Sequence, residues 1–258
     1  MSVRRQRPFL ATALALGLCG SAQALYESPT LPAPAPESVK PAPVVLDPGH
    51  GGADLGAVVG GRREKDIALA IARRVKQKLE ALGGAPVRLT RDSDIYIPLD
   101  QRVGESLDWD GVAFVSLHLN QVRSKKLSGI TVYAFGKEHF KTRRRSRRHK
   151  VAPLAPPSKD EARISGELAR SLVQSLRAQG FRVDPPAKAG FYVLKNPSIP
   201  SVLIELGYLS NPVESARLND PGYQDRLAEA VAVSLRSYFL ASAADNAPQV
   251  VLGKPNGR

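Results

Sequence analysis

The chain has one cysteine in its 258 residues, Cys19, and that residue sits inside an apolar run near the N-terminus. Arg4, Arg5 and Arg7 precede the run, which extends from Phe9 to Leu18, and "SAQA" ending at Ala24 has the small-residue pattern of a leader cleavage site. The pattern predicts an export signal over 1–24. Cleavage there leaves no thiol, which excludes disulfides, thiolate nucleophiles and cysteine-bound zinc together. Long hydrophobic runs are also missing: Phe9–Leu18 is too short to span a bilayer, and the remainder offers no transmembrane helix. Histidine is scarce, with four in the chain. Any metal must be held by those imidazoles and by carboxylates.

Residues 25–43 carry six prolines in 19 positions and no hydrophobic period, which predicts a semi-rigid linker. Residues 241–258 are small, polar and proline-containing, and read as a flexible tail. One domain is expected between them, over 44–240, acting as a monomer. Short apolar, mostly β-branched or aromatic stretches predict strands at Val44–Leu46, Val87–Thr90, Ala113–Leu117, Ile130–Phe135, Phe191–Leu194 and Ser201–Ile204. Amphipathic helices lie between and after them. Ile67, Ile71, Val75, Leu79 and Leu82 repeat at helical spacing, as do Ile164, Leu168, Leu172 and Leu176, and then Leu227, Val231, Leu235 and Phe239. This alternation predicts an α/β fold, with a mostly parallel twisted sheet of about six strands flanked by helices on both faces.

In such sheets ligands bind beyond the carboxyl ends of the strands. His50 follows the first strand, in "VVLDPGHGG"; His118 ends "VAFVSLH"; Glu205 ends "SVLIE"; Glu64 opens the helix after the first loop. Four ionisable groups distant in sequence are thus expected at one rim. Alone, His118 reads equally as a surface or core imidazole, and Glu64 as an acidic helix start. Glu205 is harder to place blandly, because a carboxylate within "SVLIELGYL" is destined for burial and an unpaired buried charge is costly. Together, His50, Glu64 and His118 suit a three-ligand catalytic zinc site, with Glu205 free to act as a base. Gly49, Gly51 and Gly52 would let the loop wrap around the metal. His139 and His149, in a basic, proline-flanked run, are not expected to be ligands.

Three blocks in this order, "LDPGHGGADLGA" with Glu64 downstream, "FVSLHLN" and "GFYVLKNPSIPSVLIELGYLSNPVES", resemble the zinc-dependent N-acetylmuramoyl-L-alanine amidases. The resemblance covers Val44 to about Leu240. It implies one zinc ion held by His50, Glu64 and His118, and Glu205 as the catalytic carboxylate. The implied substrate is peptidoglycan, cut at the amide between N-acetylmuramic acid and L-alanine, with no organic cofactor. The competing reading is a peptidoglycan-binding or regulatory protein of the same fold. Arg91 and Arg102 match family arginines with a structural role. Departures are Leu55 where proline is common, Leu119 where a small residue is usual, and "RVGESLDWDG", which lacks the customary Ala-Asn. Of these, Leu119 is expected to narrow the cleft.

The formal net charge is +13, and losing three leader arginines would leave +10. Lys137–Lys150 carries eight Lys or Arg against one Glu in 14 residues, so the basic character is local. That run is expected either to tether the protein to anionic wall or envelope polymers or to be a solvated loop; export argues against nucleic acid as the partner. Some related amidases carry, at the same place, a long insertion whose helix plugs the cleft. Here 137–159 is short, basic and rich in proline from Pro153 to Pro157, which predicts activity without an activator. The expected compartment is the periplasm, or the cell surface in a single-membrane host.

Overall fold

The computed structural model describes residues 42–136 and 154–245. The segments expected as leader and, as far as Pro41, linker, the run Lys137–Lys150 with His139 and His149, and the expected tail from residue 246 lie outside the described residues. The elements are β1 (Val44–Pro48), β2 (Val58–Val59), β3 (Arg62–Arg63), α1 (Glu64–Ala81), β4 (Val87–Leu89), α2 (Leu99–Asp108) and β5 (Ala113–Asn120). There follow β6 (Thr131–Phe135), α3 (Lys159–Ala178), β7 (Ala187–Ala189), β8 (Ser201–Tyr208), α4 (Pro212–Leu218) and α5 (Pro221–Asp245).

Six strands form one sheet in the order β4-β1-β5-β8-β6-β7, while β2 and β3 make a separate small hairpin. Every pairing in the sheet is parallel except that of β6 with β8. β1 is buried at all five positions, as expected of a parallel strand covered on both faces. The two faces are covered unequally. Val44, Leu46, Val115, Leu117, Val202 and Ile204 pack under the long helices α1, α3 and α5, whose apolar stripes fill the larger core. Val45, Phe114 and Leu203, one residue out of phase, point the other way, against Val103 of α2 and Val193 and Leu194.

The expected strand Phe191–Leu194 is not one: Tyr192–Leu194 form a single 3-10 turn, and the edge strand is Ala187–Ala189. Backbone pairing with β6 defines that edge, so β7 needs little side-chain signal. Phe191 and Val193 are apolar because they pack beneath the sheet and line its cleft. α5 runs to Asp245, into the segment expected as tail, since "ASAAD" is alanine-rich and alanine favours helix. α2 and α4 escape the sequence reading because each is short. α4 has a local signature nonetheless: Asn211 Oδ1 accepts from Val213 N at 2.9 Å and Glu214 N at 3.1 Å, and Pro212 takes the first turn. No helix among the described residues is long and apolar enough to cross a membrane.

Candidate active site

β1, β5 and β8 run in one direction, so their carboxyl ends share an edge. His50 sits two residues beyond β1. His118 and Glu205 were expected to end their strands, yet β5 continues to Asn120 and β8 to Tyr208, with a register shift between His118 and Asn120. His118 and Glu205 are direct partners across the two strands, which puts both side chains on the face away from the long helices.

Glu64 is the centre of the cluster. Its Oε1 lies 3.1 Å from His50 Nε2, 2.9 Å from His118 Nδ1 and 3.0 Å from the Leu119 N–H, while Oε2 accepts from Ala57 N at 2.8 Å. The ligand-type atoms of His50, Glu64 and His118 all fall within 4.8 Å of one another. His50 Nδ1 is 2.9 Å from Asp54 Oδ2. A carboxylate only accepts, so both ring nitrogens of His50, Nδ1 toward Asp54 and Nε2 toward Glu64, carry a proton in the metal-free cluster, and a metal would take the place of the proton on Nε2. Burial opposes a charge on His50, but the Asp54 and Glu64 carboxylates outweigh it and raise its pKa to about 9. Burial likewise opposes ionisation of Glu64, and the two imidazoles override it, pulling its pKa well below the usual range. The cluster therefore holds surplus negative charge facing two imidazoles, a donor set suited to a divalent cation.

Gly49 and Gly56 make the approach possible. A Cβ on Gly49 would come within 2.3 Å of the His118 ring, and one on Gly56 within 2.6 Å of both Glu64 Oε2 and His50 Cδ2. Gly51 and Gly52 serve a different contact from the one expected. A Cβ at Gly51 would strike Ile95 O at 2.0 Å and one at Gly52 would strike Tyr96 N at 2.8 Å, so they admit the 92–96 segment against the loop.

The loop carrying His50 leaves the sheet and cannot satisfy its carbonyls there. Two arginines do so instead. Arg91 donates to the carbonyls of Pro48 at 2.9 Å and Gly49 at 2.7 Å. Arg102 donates to Pro48 O at 2.8 Å and His50 O at 2.6 Å. Lys65 Nζ, also buried, takes Gly52 O at 2.8 Å. Arg102 is held in turn by Asp47 at 2.6 Å, whose carboxylate also accepts from Thr90 and Ser116, each at 2.7 Å.

A family model described as N-acetylmuramoyl-L-alanine amidase matches residues 44–237. The chain belongs to the N-acetylmuramoyl-L-alanine amidase family. It is 32% identical over 222 residues to the amidase AmiC of Escherichia coli O6:H1, covering 78% of this chain and 53% of that one, so it spans about half of that relative's length. It is 34% identical over 210 residues to the germination-specific N-acetylmuramoyl-L-alanine amidase of Bacillus subtilis, covering 76% of this chain and 79% of that protein. Among solved structures, the N-acetylmuramoyl-L-alanine amidase of Clostridium difficile 630 superposes with a TM-score of 0.66 at 28% identity, over 78% of this chain and 98% of that one.

In this chain the cluster opens into a cleft of about 700 Å³, walled by Tyr96, Ile97, Leu99, Phe191 and Tyr192 beside the four ionisable residues. Glu205 Oε2 is out of contact with solvent and has no hydrogen-bond partner among the described residues. Burial pushes its pKa up to about 7, Glu64 adds to the rise, and His118 and His50 partly oppose it. A carboxylate poised near neutrality is what proton transfer requires. Leu119 is among the residues that line the cleft; it is buried in the helical-side core, and its backbone N–H meets Glu64.

Asp54, which no sequence argument singled out, holds the His50 tautomer. Asp54→Asn is expected to weaken zinc affinity by about 10–100-fold with the fold intact, the usual cost of losing a ligand's outer partner. Competition against a chelator of known affinity measures this, and an unchanged affinity would leave Asp54 without a role.

The Asp47–Arg102 pair has a signature in pH. Burial disfavours the Asp47 carboxylate, but the Arg102 charge and the hydrogen bonds from Thr90, Ser116 and Arg102 together lower its pKa. Its folded value lies below its unfolded one, so the stability it contributes is present above about pH 3.9 and lost as the pH falls further. Arg102→Met removes the compensation and leaves a buried, unpaired carboxylate, expected to cost about 3–5 kcal/mol. Burial, offset then only by the Thr90 and Ser116 hydrogen bonds, is expected to raise the Asp47 pKa, so stability should fall as the pH rises from about 4 toward 6, the reverse of the native trend. Denaturant midpoints across that range provide the check; parallel trends in both proteins would mean that Asp47 is not controlled by Arg102.

Proposed function

We propose that the chain is an exported zinc hydrolase that cleaves the amide bond between N-acetylmuramic acid and L-alanine in peptidoglycan, in cell-wall remodelling. The observation that carries this reading is the convergence of His50, His118 and Glu64 ligand atoms beside Glu205, whose buried Oε2 has no hydrogen-bond partner among the described residues. His50, Glu64 and His118 would hold the metal; two neutral nitrogens and one carboxylate oxygen suit zinc better than magnesium or calcium. Zinc bound there supplies Lewis acidity, activating water and polarising a carbonyl. Glu205 takes the proton of the attacking water and passes it to the departing amine of L-alanine. Tyr96, Phe191 and Tyr192 form apolar walls against which a muramyl peptide is oriented. Arg91 and Arg102 keep His50 fixed, so the metal site is set before substrate arrives. Export is supported by the arginine-led apolar segment ending at Ala24, and the wall substrate fits a periplasmic or cell-surface location.

Stripping the protein with a chelator is expected to abolish clearing of purified sacculi, and one equivalent of zinc to restore it. Clearing that persists in metal-free protein would overturn the metal assignment.

A further inference from the structure

Away from the cleft, a small cavity of about 190 Å³ is lined by Arg182, Arg217 and Arg226 together with Phe181, Tyr223 and one acid, Glu214. None of the three guanidinium groups has a carboxylate within 4.0 Å among the described residues. The acids beside them are already engaged. Glu214 accepts from Gly129 N at 2.7 Å and Tyr208 N at 2.8 Å, and Asp220 caps α5 by accepting from Tyr223 N at 2.7 Å. The arginines are partly ordered all the same. Arg226 lies 5.6 Å over the Tyr223 ring, Tyr223 meets Phe181 edge-on at 6.3 Å, and Arg182 Nη1 donates to Ser128 Oγ at 3.1 Å.

The segment leading to this cavity begins at the cleft. Asn120 and Gln121 line the cleft, exposed Arg123, Lys125 and Lys126 follow without an ion pair, and Ser128 and Gly129 reach the arginine cavity. A basic path thus joins the two places.

We infer that the Arg182–Arg217–Arg226 cavity is an exosite for a phosphate group, with Arg123, Lys125 and Lys126 guiding the anionic chain that bears it toward the cleft. Three positive charges around so small a space exceed what one carboxylate neutralises. A phosphate carries up to two negative charges at neutral pH, and its oxygens match the planar guanidinium fork. The inference does not depend on the proposed reaction, because it uses none of the residues assigned to it.

The test is a titration of the full, zinc-loaded chain with inorganic phosphate at constant ionic strength, followed by amide chemical shifts. Saturable shifts are expected at Gly129, Gly180 and Arg182, weakened at least about tenfold in Arg217→Gln/Arg226→Gln, whose two changed side chains are exposed. The residue-specific readout separates this site from phosphate at the metal. No saturation at those amides up to about 20 mM, well above a millimolar dissociation constant, or equal binding by the variant, would overturn the inference. Co-sedimentation with phosphatidylglycerol but not phosphatidylcholine vesicles, lost in the variant, would identify a lipid headgroup as the source. Phosphate binding without vesicle binding would identify a free or polymer-borne phosphate. Cleavage of soluble muropeptides by the variant should equal that of the native protein, so failure of the exosite and failure of the amidase reading remain distinct.

Discussion

Glu205→Gln is expected to reduce amide cleavage by about 10²–10⁴, the range for losing a positioned acid/base group, while zinc content and fold are retained. The substitution preserves size and burial, and Glu205 Oε2 has no hydrogen-bond partner among the described residues to forfeit. Nothing structural depends on that oxygen, so its place against His118 across the strands has a chemical explanation. Zinc per chain, measured beside turnover, decides the matter. A Glu205→Gln protein that keeps near-normal turnover, or that loses its zinc, would contradict the role assigned to Glu205.

Glu64 is expected to fail differently. In Glu64→Ala the two imidazoles lose the oxygen between them and the N–H groups of Ala57 and Leu119 lose their acceptor. Zinc and activity should fall together, by more than the roughly 10–100-fold cost of an outer-partner change. Each unsatisfied buried N–H adds a destabilisation of about 1–3 kcal/mol. Glu64→Gln lessens the structural loss, because its amide oxygen still accepts from one of the two backbone N–H groups; it should be less destabilised than Glu64→Ala and still lack tight zinc. Stoichiometric zinc in Glu64→Gln would remove Glu64 from the ligand set.

The strand and helix periods made the sheet and its three long helices legible, because those elements bury whole faces whose spacing is written in Val44–Leu46 or in Ile67, Ile71 and Val75. Glu205 stood out for a related reason, since a carboxylate within an apolar strand conflicts with local burial, whereas His50, Glu64 and His118 were grouped with it only by their expected places around the strand ends. Residues that act through the backbone left no such mark. Only the family resemblance marked Arg91 and Arg102 as structural; their own sequence context does not, and the reason is the loop from Pro48 to His50, which brings its carbonyls to them. Asp54 sits among turn residues and acquires its role only when His50, at a φ of 59°, turns Nδ1 toward it. β7 was misplaced because an edge strand is set by its neighbour's backbone, whereas the apolar residues just after it serve packing and the cleft. Arg182 lies in the loop after α3, Arg217 on α4 and Arg226 on α5, so only tertiary packing assembles them.

Mass analysis of the fragments released from purified sacculi tests the central claim most directly. The account predicts stem peptides with a free L-alanine amino terminus and glycan strands whose N-acetylmuramic acid keeps its lactyl carboxylate. Fragments cut within the stem peptide, or within the glycan, would contradict it.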